Sequence, residues 1–147
     1  VTVALALDSS LPWVRIDRIG IEQVITNLLR NASDAMVQTA PPRTLHIRTT
    51  LGAGHPLAQG AGWVTVTVTD TGPGLGGRDI ETLTEAFFST KQEGTGLGLA
   101  ICRSILESHG GILHATDVGD GGGACFSFSL PPETTTIKNE TTPTDPA

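Results

Sequence analysis

Gln23-Val24-Ile25-Thr26-Asn27-Leu28-Leu29-Arg30-Asn31-Ala32 lies in a stretch whose apolar residues follow one stripe. Ile21, Val24, Ile25, Leu28, Ala32 and Ala35 recur at the i, i+3, i+4, i+7 spacing of a helix that buries one face. Asp17 is its N-cap, and Pro41-Pro42 is expected to end it. Asn27, Asn31 and Asp34 follow an i, i+4, i+7 spacing, so at about 3.6 residues per turn they share an arc of roughly 60° beside the stripe. A solvated face is the ordinary reading of such a strip. Two asparagines argue for more, because Asn is a poor helix former that usually answers to a specific hydrogen bond or ligand. An Asn side-chain carbonyl is a hard oxygen donor suited to Mg²⁺, which also holds waters and phosphate oxygens.

Outward from that helix the period changes. Val1 to Leu7 is β-branched enough for a strand, Asp8-Ser9-Ser10 with Pro12 turns the chain, and Trp13 to Ile16 forms a short segment before the helix. Thr44 to Thr50 alternates as a strand, a glycine-rich loop spans about Gly52 to Gly62, and Val64, Val66 and Val68 alternate with Thr65, Thr67 and Thr69. That pair reads as a hairpin with one buried face. Between Asp70 and Gly98, seven glycines and little periodicity allow at most a short helix near Asp79 to Leu83; such segments inside a compact domain are usually functional. Leu97 to His109 returns to helical spacing, with His109 as a capping residue and Gly110-Gly111 as the stop. Ile112 to Asp117 and Ala124 to Leu130 read as strands. Residues 1–131 form the expected domain, and the polar stretch 132–147 is expected to be a disordered linker or tail.

The irregular stretch holds most of the chemistry. Asp70-Thr71-Gly72-Pro73-Gly74-Leu75-Gly76-Gly77 puts a carboxylate at a strand end before glycines that let a ligand approach the backbone. Such a carboxylate can accept from an exocyclic amine such as adenine N6, although an Asp-initiated turn is the plainer alternative. Gly72, Gly74 and Gly77 also match the G-x-G-x-x-G dinucleotide fingerprint, but no helix opens at these glycines as that fingerprint requires. Phe87-Phe88-Ser89-Thr90-Lys91 follows, and Lys91 shares the chain only with Lys138 in the tail. Its ammonium can meet phosphate as a point charge. Gly94-Thr95-Gly96-Leu97-Gly98-Leu99-Ala100-Ile101 then opens a helix, where backbone N–H groups and the dipole make a phosphate cradle. No Lys-Ser or Lys-Thr follows at P-loop spacing.

Composition excludes several classes. The 147 residues are one domain's worth, no apolar run approaches the roughly 20 residues of a membrane helix, and 38% are hydrophobic. A formal charge of −6 argues against nucleic acid as a partner, which needs a basic face. Cys102 and Cys125 form no C-x-x-C, so neither a disulfide framework nor a zinc site is expected, and a reducing cytoplasm fits. Val1 in place of Met suggests a piece of a longer protein, whose sensor or membrane anchor would lie upstream.

Taken together, the residues resemble the ATP-binding catalytic domain of sensor histidine kinases, in the GHKL ATPase superfamily. Four boxes match in order: an asparagine box from Gln23 to Ala32, a first glycine box DTGPG at Asp70, a phenylalanine box FFSTK, and a second glycine box GTGLGLAI. The likeness continues through His109-Gly110-Gly111 to Leu130-Pro131, and NLLRNASDAM with FFSTK is most similar to the nitrogen- and oxygen-sensing type.

The resemblance implies an α/β two-layer sandwich with helices on one face of a mixed, mainly antiparallel sheet. It implies ATP and Mg²⁺ as cofactors, and a role as ATP:protein-histidine phosphotransferase. Asn31 would ligate Mg²⁺, Asn27 would shape the phosphate end, and Asp34 would belong to the pocket. Asp70 would read adenine, with Gly72, Gly74 and Leu75 beside it. Phe87, Lys91, Gly94, Thr95, Gly96, Leu97, Gly98 and Leu99 would line the phosphate side beneath a mobile lid over about Gly76 to Thr95, anchored by little besides Phe87 and Phe88. Asn27, Asn31 and Lys91 would be the catalytic set. Relatives often carry Thr or Ser where Ala124 stands. None of the four histidines precedes an acidic residue and a proline on a helix as the family's acceptor does. The implied partners are therefore an upstream dimerisation and phosphoacceptor domain and a response regulator, with a homodimeric parent and a monomeric isolated chain. The competing class is a conformational-cycle ATPase, whose members keep a glutamate base where this chain has Asn27; a non-catalytic nucleotide sensor is a third.

Overall fold

The structure is a computed structural model and describes residues 1–52, 62–89, 94–119 and 122–133. Among the described residues, five strands and three helices follow in the order β1 (Thr2–Ala6), α1 (Arg18–Ala35), β2 (Thr44–Leu51), β3 (Val64–Asp70), α2 (Ile80–Leu83), α3 (Gly98–Ser108), β4 (Ile112–Asp117) and β5 (Ala124–Leu130). The strands form one sheet in the order β1-β2-β3-β5-β4. β1 pairs parallel to β2 and every other pair is antiparallel, which gives the mixed, mainly antiparallel sheet expected.

Strand alternation decides which residues face the helices. Val64, Val66 and Val68 lie opposite Leu130, Phe128 and Phe126, and the threonines between them lie opposite Ser129, Ser127 and Cys125. Val68, Phe126 and Phe128 pack with Val24, Leu28, Cys102 and Leu106 of α1 and α3, and burial of each large side chain contributes roughly 1.5–3 kcal/mol. On the opposite face the centre of the sheet, along β3 and β5, carries mainly hydroxyls. Thr65 Oγ1 and Ser129 Oγ, both buried, share a hydrogen bond of 2.8 Å there.

α1 begins as read, with the Asp17 carboxylate accepting from Gly20 N–H at 2.9 Å. A Cβ on Gly20 would come within 3.1 Å of Ile105 on α3, so the two helices meet closely at that position. The helix ends earlier than expected, at Ala35 rather than at the prolines. Thr39 explains the difference: its N–H turns back to the Met36 carbonyl at 3.0 Å and closes a turn in place of further helix. Trp13 to Ile16 forms no element, and the Trp13 carbonyl instead accepts from Glu133 N–H at 2.9 Å.

His109 caps α3 and also reaches across to α1. Its Nε2 accepts from Asp17 N–H at 2.9 Å, so the proton is on Nδ1, which donates to the Ile105 carbonyl at 2.7 Å. Among the described residues no helix is long and apolar enough to cross a membrane.

Candidate nucleotide-binding site

Asp70 ends β3 and is buried, 3% exposed. Both of its backbone donors, Gly72 N–H at 2.8 Å and Ala124 N–H at 3.3 Å, reach Oδ1. Burial pushes the Asp70 carboxyl above its ordinary range, and those two bonds oppose the shift without cancelling it. Ala124 thus addresses the same carboxylate through its backbone. A Cβ on Gly72 would fall 2.8 Å from Asp70 Oδ1 and 3.2 Å from Ala35 Cβ, so the first glycine box lies against the end of α1.

At the other end of the asparagine strip, Asn27 Nδ2 donates to the Gly98 carbonyl at 3.4 Å and contacts Cys102 Sγ at 3.6 Å. Gly98 is the first residue of α3, whose N-terminus has no side-chain cap. Its leading N–H groups are therefore not closed off by a capping side chain. α1 accordingly runs from one glycine box to the other. Asn27 to Ala35 covers roughly 12 Å at about 1.5 Å per residue, the length scale of a nucleoside triphosphate, with half-buried Asn31 and exposed Asp34 between.

The described part of the segment between the boxes, residues 78–89, is held differently from the expectation. Ile80 and Leu83 pack against the core, and Arg103 of α3 donates to the buried Thr84 hydroxyl at 2.9 Å. Phe87, expected to anchor the lid, is instead 78% exposed with φ +68°, and Phe88 is the half-buried one of the pair. Phe87 N–H donates to the Gly96 carbonyl at 3.0 Å, which ties Phe87 to the second glycine box. Gly96 sits at φ +69° with no space for a Cβ against the Phe87 backbone, so glycine is required there. Gly94 and Thr95 are exposed, Leu97 and Leu99 are half-buried beside the α3 terminus, and Leu75 is buried in the core. Lys91 lies outside the described residues.

The glycines of the G-x-G-x-x-G match do not open a helix. Their loop is gripped by Asp117 at the end of β4, which takes Leu75 N–H on Oδ1 and Gly77 N–H on Oδ2 at 3.1 Å. The Leu75 bond first, and then the Gly77 bond, hold the Asp117 carboxyl below its ordinary range. The sequence reading missed Asp117, the Asn27–Gly98 bond and the Arg103–Thr84 bond. One signal was available for Asp117: like Asp70, it is a carboxylate at the end of an alternating strand.

Comparison with known proteins closes the question of family. The family of histidine kinase-, DNA gyrase B-, and HSP90-like ATPases matches residues 16–134. The chain belongs to this family. Within it, the catalytic domain of histidine kinase ThkA superposes with a TM-score of 0.68 at 32% identity, over 88% of this chain and 78% of that one. Among curated proteins, the C4-dicarboxylate transport sensor protein DctS of Rhodobacter capsulatus is 42% identical over 135 residues, 89% of this chain and 19% of its own length. The sensor protein FixL of Bradyrhizobium diazoefficiens is 40% identical over 131 residues, 89% of this chain and 24% of its own length. The chain thus spans about a fifth to a quarter of these relatives. It is a histidine kinase-type ATPase domain, for which the family implies ATP as the ligand, and the resemblance drawn from the four boxes holds.

Proposed function

We propose that this domain binds ATP with Mg²⁺ between the two glycine boxes and presents the γ-phosphate to a histidine on a dimerisation domain of its parent protein. The observation that supports this most directly is the path of α1, which carries Asn27, Asn31 and Asp34 from the uncapped start of α3 to the buried Asp70. Asp70 reads the adenine amine through Oδ2, since both of its backbone donors occupy Oδ1. Gly72, Gly74 and Leu75 shape the wall beside it. The α3 N-terminus with Gly94 to Leu99 and Lys91 holds the phosphates.

The donor set suits a hard cation. Asn31 offers an amide oxygen beside the phosphate path, and no group of three or more His, Cys, Asp or Glu among the described residues would compete with it for a metal. When bound, Mg²⁺ neutralises charge on the phosphate oxygens. The chain's own share is positioning and electrostatics: backbone donors at α3 and the Lys91 ammonium draw charge from the transferring group. Asn27 keeps the start of α3 against α1.

Residues 1–131 make the catalytic unit, Glu133 still docks on the Trp13 carbonyl, and 134–147, read as a linker or tail, lie outside the described residues. The parent works in the cytoplasm as a homodimer, passes phosphate on to a response regulator and needs no nucleic acid, while the isolated domain is monomeric. The decisive experiment is calorimetric titration with ATP and Mg²⁺, followed by incubation with radiolabelled ATP. Tight binding, slow release of phosphate and no acid-labile label on the chain are expected, because Asn27, a neutral amide, stands where hydrolysing relatives keep a carboxylate. Label should appear once the acceptor-bearing helices of the parent are added. Turnover of ~1–10³ s⁻¹ by the domain alone would favour the conformational-cycle ATPases instead.

A further inference from the structure

Gly74, Gly76 and Gly77 all have positive φ, at +83°, +64° and +73°. Runs of this kind turn successive N–H groups to one side and make a concavity that takes an anion. In a dinucleotide fingerprint that anion would be a ligand's phosphate. Here the chain supplies it, because the Asp117 carboxylate already receives Leu75 N–H and Gly77 N–H. The fit is close: a Cβ on Gly74 would collide with Asp117 Oδ1 and lie 3.1 Å from the Gly123 carbonyl. Asp117 is also registered opposite Ala124, the residue whose N–H reaches Asp70. The loop therefore has a strand-end carboxylate at each side, Asp70 at its start and Asp117 at its far end.

We propose that Asp117 is a positioning residue for the base: by filling the amide concavity of the first glycine box, it fixes Gly72 to Leu75 beside Asp70 and leaves the phosphates to the α3 terminus. This rests on the reading of Asp70 as the adenine contact. Asp117 touches no ligand itself, and its action passes through Leu75, whose side chain is buried in the core and whose N–H it holds. The same two bonds hold its carboxyl below the ordinary range.

The test compares the whole chain with Asp117→Ala and Asp117→Asn, using calorimetry with adenosine and with ADP and amide exchange over residues 73–77. Asp117→Ala should weaken adenosine and ADP by the same factor, about fivefold, less than a fully buried charged acceptor would give because this carboxylate is open to solvent. Exchange at Leu75 and Gly77 should quicken. Asp117→Asn keeps one acceptor oxygen and should lie between, and it decides the matter if the alanine variant fails to fold by circular dichroism. Unchanged adenosine affinity, or a loss confined to ADP, overturns the proposal while the nucleotide reading stands. If the unaltered chain binds no adenosine or ADP, the nucleotide reading itself falls and this proposal with it.

Discussion

Asp70→Asn separates binding from folding more sharply than any other single change. Asparagine can place its amide oxygen where Oδ1 stands and keep the donors from Gly72 and Ala124 at 2.8 and 3.3 Å. Its NH₂ then replaces Oδ2 and faces the adenine amine, donor against donor. The loss is one charge-assisted hydrogen bond, about 1.5–3 kcal/mol, which is about 10- to 150-fold in ADP affinity. Folding should move the other way. An acid whose folded pKa is raised favours its protonated form in the native state, so its ionisation costs stability above the raised value and costs nothing below the ordinary 3.8. The variant should therefore melt at the same temperature as the unaltered chain or higher at neutral pH, and the difference should close as pH falls towards 3.8. ADP affinity of the unaltered chain should begin to fall on acidification before an ordinary carboxylate would titrate. A decline that Asp70→Asn shares belongs to the base and not to this residue. Calorimetry and thermal melts across pH 4–7 would check both halves. An ADP affinity within about threefold of the unaltered chain in a folded variant would refute the reasoning, since even the lower bound of that bond exceeds it.

Gly96→Ala puts a Cβ against the Phe87 backbone at φ +69°, adding about 1–2 kcal/mol of left-handed strain to the clash; urea unfolding should show the loss, and an unchanged midpoint would count against the Phe87–Gly96 junction. Thr65→Val strips the buried Ser129 hydroxyl of its partner and should cost about 1–3 kcal/mol. Adding Ser129→Ala should restore most of it, and a double variant no better than the sum of the singles would show that the hydroxyls act separately. Asn31→Ala should remove the Mg²⁺ dependence of ATP binding while leaving adenosine binding nearly intact, and equal loss of both would mark Asn31 as structural.

Elements whose signal is local were legible in the sequence. β4 and β5 fall where their alternation placed them, Asp17 caps α1, and the short helix near Asp79 is α2. Side-chain bonds between distant segments were not. Arg103 to Thr84 and Asp117 to Gly77 link residues far apart in the chain, and each endpoint alone is an ordinary charged or small residue. Phe87 misled for a related reason. Aromatic character predicts burial on average, but its left-handed backbone, tied to Gly96, turns it outward and leaves Phe88 to pack. The end of α1 was misplaced because prolines forbid helix without requiring it to continue up to them.

The alternation of β3 works as a parity check on the folded chain. A slip of one residue would carry Val64, Val66 and Val68 to the hydroxyl face and bring threonines against the helices. Asp70 has the same parity as those valines, so the slip would also swing its carboxylate to the side away from α1 and from the Gly72 turn. Core and proposed base contact are thus correct together or wrong together. A chain that holds adenine has, by that act, certified the register of its central strand.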